Sequence, residues 1–143
     1  MLKEKAKAQG AFITLAAVFF GGAAGAGIRA GFGFLSRGTT WPWVIFAINL
    51  SGAFLLGLLD SLVAKKSSAH PGLKRFASFA DTGMMGAFTT YGTFVDQTRG
   101  LWLSSSPYAA VAYALASLAA GVFLAGFGLY LGRKIFKAKG AEK

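Results

Sequence analysis

The sequence predicts an all-α membrane protein of four transmembrane helices, the third of them broken near its middle. Three observations lead there. Of the 143 residues, 55% are hydrophobic and only 14% charged, with a mean hydropathy of +0.54, a balance outside the usual range of a water-soluble domain. The apolar residues gather in four segments, about 11–34, 43–63, 76–97 and 108–131, each near the roughly 20 residues a helix needs to cross the hydrocarbon. The third segment contains Gly83-Met84-Met85-Gly86-Ala87-Phe88-Thr89-Thr90-Tyr91-Gly92-Thr93-Phe94. Its three glycines and three threonines weaken a helix where lipid offers no water to freed backbone groups. A break at that depth survives only where it lines a cavity or holds an ion. Residues 1–143 therefore read as a single transmembrane channel domain.

Span one carries Gly21, Gly22, Gly25, Gly27 and Gly31 among alanines, and both Gly21/Gly25 and Gly27/Gly31 stand at the spacing that lets another helix approach closely. Lys3, Lys5 and Lys7 precede it, but the apolar run behind them is too long for a signal-peptide core, so this segment is expected to be retained. Arg29 is costly in hydrocarbon; it either snorkels to an interface or faces a wet vestibule. Beyond the loop Ser36 to Thr40, Trp41-Pro42-Trp43 marks a membrane interface, with a proline suited to a first helical turn.

Span two holds Asn49 in its middle, where an amide either bonds across helices or offers its N–H to a ligand, and Asp60 near its end. A polar loop from Ala64 to Arg75 follows. In span three, Asp81 lies before the break and Asp96 after it. Gly86 and Thr89 are three apart, so their carbonyls converge where the helix unwinds; Tyr91 and Phe94, also three apart, share a face of the half-helix that follows. In span four Tyr113, Ser117 and Gly121 recur every four residues, as a helix contact face or as a polar track beside a pore. Gly128/Gly132 favours contact at the far end.

The absence of cysteine removes disulfides and thiolate metal sites, and His70 stands alone in a polar loop. A net charge of +10 does not imply nucleic acid, because the basic residues flank the apolar segments instead of forming one patch. Four spans place the termini and the middle loop on one side. Three basic residues in the N-terminus, four in the middle loop (Lys65, Lys66, Lys74, Arg75) and five in the tail (Arg133, Lys134, Lys137, Lys139, Lys143) put twelve of the fifteen there, against Arg29, Arg37 and Arg99 opposite. The termini are expected in the cytoplasm, with one fixed orientation in a cell membrane crossed several times.

These motifs together resemble the CrcB/Fluc family of fluoride channels over nearly the whole chain. Gly21-Gly22-Ala23-Ala24-Gly25-Ala26-Gly27-Ile28-Arg29 looks like GGxxGAxxR, and Asn49-Leu50-Ser51-Gly52 with Phe54 and Gly57 looks like NxxGxFxxG. Thr82-Gly83 through Phe94 is similar to TGfxGgfTTFSTF, the most specific of the three. The resemblance implies a passive fluoride channel of two antiparallel subunits with a structural Na⁺ at the dimer centre. It places Na⁺ on the backbone carbonyls of Gly86 and Thr89. It places the fluoride pathway along Asn49, Tyr91, Thr93, Phe94, Tyr113, Ser117 and Arg29. Carbonyl oxygens suit a hard cation, and ring edges and amide hydrogens suit a small anion.

Tyr91, Gly92 and Gln97 depart from the family pattern, standing where phenylalanine, serine and often glutamate are found. Together with the charge bias they leave two expectations for the partner, a second copy of the chain or a paralogue of opposite orientation. Two rival readings differ in mechanism. A small multidrug transporter needs a mid-membrane carboxylate in span one, and span one has only Arg29. A structural membrane subunit would use the Gly86 to Phe94 segment for packing alone. An enzyme is not expected, since Asp60, Asp81 and Asp96 are dispersed and no His or Cys stands beside them.

Overall fold

The computed structural model describes residues 1–34, 41–66 and 71–138. Arg37, His70, Lys139, Lys143 and the loop Ser36 to Thr40, all used above, lie outside them. The described chain is helical: α1 (Leu2–Gly33), α2 (Trp43–Lys66), α3 (Pro71–Ala77), a π-helical stretch (Ser78–Met85), α4 (Gly86–Phe88), α5 (Tyr91–Ser104) and α6 (Pro107–Ala138). Three helical stretches are long and apolar enough to cross a membrane, Lys7–Gly33, Trp43–Val63 and Pro107–Ile135. This is the build of a multi-pass membrane protein.

Between α2 and α6 the chain forms one helical run from Pro71 to Phe88 and a second from Tyr91 to Ser104, joined by two extended residues. Thr89 has φ −71° and ψ 153° and Thr90 φ −145° and ψ 117°. The second run goes beyond the expected end at Gln97. Nothing in Thr98 to Ser104 stops it, because Thr98 Oγ1 and Ser104 Oγ each donate back to the carbonyl four residues earlier and proline is first met at Pro107. The middle loop is likewise shorter than Ala64 to Arg75, with α2 continuing to Lys66 and α3 starting at Pro71, in the first-turn position that proline tolerates.

Packing follows glycine. In lipid the hydrophobic effect does little to join helices, and close backbone approach at small residues replaces it. A Cβ at Gly21 would overlap the Phe79 carbonyl oxygen, one at Gly25 that of Met84, and one at Gly83 would press on the Val18 carbonyl. So α1 seats its first glycine pair on the π-helical stretch. Gly27 and Gly31, the second pair, face open space. On the other flank α2 lies along α6, the two running the same way: Gly57 meets Ala125, Gly128 meets Phe54 and Gly132 meets Ser61. The expected contact role of Gly128/Gly132 is what the structure contains.

Two small cores complete the packing, Ile45, Ile48, Met85 and Phe88 in one and Leu101, Ala110 and Tyr113 in the other. Phe12, Phe19, Leu118 and Phe123 stay mostly exposed, as surfaces that meet lipid or another protein do.

Candidate functional site

The site is built from the break outward. A continuous helix would send the Thr90 N–H to the Gly86 carbonyl, but here it donates to Asn49 Oδ1 at 2.9 Å, while Asn49 Nδ2 donates to the Thr90 carbonyl at 3.2 Å. One side chain from α2 thus pairs both backbone groups of an extended residue, as a neighbouring strand would. Of the two roles open to Asn49, the bond across helices is made, and one N–H of its amide is left over.

The other freed groups find separate partners. Thr89 N–H and Thr89 Oγ1 both donate to the Met85 carbonyl, each at 3.0 Å. Arg29 Nε donates to the Ala87 carbonyl at 3.1 Å, which ties α1 to the first half of the break. Thr90 caps α5: its Oγ1 accepts the Thr93 N–H at 3.2 Å and donates to Thr93 Oγ1 at 3.1 Å. No donor among the described residues reaches the carbonyl oxygens of Gly86 and Thr89. Backbone oxygens without a partner are what a hard cation takes, and a site of this chemistry fits Na⁺.

Beside the break opens a cleft of about 420 Å³, lined by Asn49, Thr89, Thr90, Tyr91, Phe94 and Ser117 among others. The rings of Tyr91 and Phe94 lie 6.1 Å apart along it. Phe94 in turn stands 5.4 Å from Tyr113, which is 1% exposed and backed by Trp41 and Phe46. Tyr113 donates weakly to Gln97 Oε1 at 3.5 Å. Ser117 Oγ is buried beside the Tyr113 side chain without a hydrogen bond of full geometry, an uncommon condition that a ligand would relieve. On the far side of Phe94 a second cleft of about 360 Å³ is lined by Thr98, Arg99, Trp102 and Leu103.

Of the residues expected from the sequence, Asn49, Thr89, Tyr91, Phe94 and Ser117 meet in one cleft, with Tyr113 behind Phe94 and Thr93 joined through Thr90. Arg29 and Gly86 lie outside it, tied to the same break from the α1 side or open to the surroundings. Sequence reasoning did not foresee the π-helical stretch or the grip of Asn49 on Thr90. The glycine pair 21/25 was the available signal for the first, since it demanded a close partner without saying which.

A profile of the family described as CrcB-like protein, Camphor Resistance (CrcB), matches residues 16–129. Among curated proteins, the chain is 37% identical over 124 residues to the fluoride-specific ion channel FluC of Chelativorans sp., covering 82% of this chain and 94% of that protein. It is 38% identical over 128 residues to the fluoride-specific ion channel FluC 2 of Bacillus licheniformis, covering 89% and 92%. It is 36% identical over 118 residues to the FluC 2 of Staphylococcus saprophyticus, covering 82% and 95%. With the glycine seat of α1, the break and the whole cleft inside the matched span, the chain belongs to the CrcB-like family.

Proposed function

We propose that this protein is a fluoride-selective passive channel that lowers cytoplasmic fluoride. The observation that carries the reading is the cleft at the helix break, lined by polar side chains and the aromatic residues Tyr91 and Phe94, in a member of a family whose relatives are fluoride-specific channels. Fluoride is small and strongly hydrated, so a path must replace its water with donors. The spare Asn49 N–H, the Ser117 hydroxyl and the Thr93 hydroxyl supply donors. Tyr91, Phe94 and Tyr113 present the positive rims of their rings. Arg29 holds the Ala87 carbonyl and adds positive charge near the break. No pump is required, because HF enters uncharged, dissociates, and the membrane potential expels the anion at about 2.3 kcal/mol per charge per 100 mV.

The runs on either side of the break form the third of four spans, and the channel is an antiparallel pair of chains with termini in the cytoplasm. The carbonyls of Gly86 and Thr89 would hold a Na⁺ ion, which would supply fixed positive charge at the break. The partner is either a second copy or a paralogue of opposite orientation. The placement of twelve basic residues against three favours the paralogue, and relatives in Bacillus and Staphylococcus carry the numerals 1 and 2. A transporter exchanging protons for a drug is disfavoured by the missing carboxylate in the middle of α1.

The test is fluoride efflux from liposomes containing the purified chain, with chloride as control and Phe94→Ile alongside. Fluoride-selective efflux that the substitution abolishes is expected. Equal passage of chloride, or drug-driven proton movement, would overturn the reading. Silence from a folded sample that a co-expressed paralogue cures would assign the chain to a heteromeric pair.

A further inference from the structure

The backbone oxygens at the break are not all alike. Among the described residues Met85 O receives both donors of Thr89, Ala87 O receives Arg29 and Thr90 O receives Asn49, which leaves Gly86 O, Phe88 O and Thr89 O free. Gly86 O is free for an identifiable reason. Its partner in an unbroken helix is the Thr90 N–H, and Asn49 Oδ1 takes that hydrogen at 2.9 Å. Asn49 Nδ2 grips the Thr90 carbonyl at the same time, which fixes the extended turn at Thr89 and the direction of the Thr89 oxygen.

We propose that Asn49 is a positioning residue for the cation: by occupying the Thr90 N–H it creates the Gly86 and Thr89 oxygen pair that Na⁺ takes. The inference rests on the sodium reading above and gives the asparagine a second task besides meeting fluoride. Without the amide, the Thr90 N–H is free to return to the Gly86 carbonyl. The helix then closes over the site and one ligand is withdrawn. Arg29 works in the opposite sense, since its guanidinium occupies Ala87 O and keeps the cation from choosing that oxygen.

The experiment is Na⁺-dependent thermal stabilisation of the purified full chain in detergent, titrated from N-methylglucamine buffer with K⁺ as control, for the native protein, Asn49→Leu, Asn49→Ser and Asn49→Asp. Aspartate keeps an acceptor at the right distance for the Thr90 N–H, leucine has none, and serine is too short to reach. The Na⁺ concentration at half-effect should rise at least tenfold in Asn49→Leu and Asn49→Ser, and by less in Asn49→Asp, which keeps the acceptor for the Thr90 N–H and loses only the donor to the Thr90 carbonyl. A merely structural asparagine would lower the unfolding temperature at every Na⁺ concentration and leave the midpoint alone. Native midpoints in the leucine and serine variants would overturn the proposal, and the serine variant decides it if the leucine variant does not fold. A native chain indifferent to Na⁺ is a different signature, which removes the sodium reading and this inference with it.

Discussion

Gly25 and Gly27 are two residues apart and have opposite surroundings. The first is pressed against the backbone of Met84, the second faces open space. Gly25→Ala should therefore destabilise the protein by about 1–3 kcal/mol through forced backbone shifts, whereas Gly27→Ala should fall within about 0.5 kcal/mol of native. Thermal unfolding in detergent checks both. Ser117 makes a different kind of prediction. Its buried oxygen lacks a hydrogen bond of full geometry, so Ser117→Ala should leave stability unchanged or raise it by up to about 1 kcal/mol. Fluoride efflux should fall in the same variant. A joint loss of stability and flux would mean that the hydroxyl is structural after all.

At the scale of elements, α5 depends on one cap. Thr90 Oγ1 accepts the Thr93 N–H, and Thr90→Ala should cost α5 about 1 kcal/mol, seen as faster amide exchange in its first turn. The sequence made the break itself legible, because clustered glycine and threonine argue against a helix in lipid wherever they occur. It also marked Tyr91 and Phe94 as sharing a face. It left the partners of the freed backbone groups open, since Asn49 and Thr90 are 41 positions apart in the chain and only the packing of α2 beside α4 joins them. The π-helical stretch was illegible for a related reason. Its register answers to Gly21 and Gly25 of α1, and no local pattern in Ser78 to Met85 records that neighbour.

For the whole molecule, the distribution of charge is the largest-scale signal. If basic residues set orientation, a reporter fused to the C-terminus should be found on the cytoplasmic side alone; equal labelling on both faces would identify a dual-topology chain and remove the case for a paralogue. Helix lengths carry one more consequence. The last glycine seat between α2 and α6 is at Gly132, yet α6 continues to Ala138. Arg133 and Lys134 thus stand directly beyond the seat of Gly132 on Ser61, at the base of a last helical stretch about 9 Å long. Both lie inside the apolar stretch that ends at Ile135, so the seat at Gly132 sets their depth, and in lipids of mismatched chain length the surrounding bilayer thins or thickens to meet them.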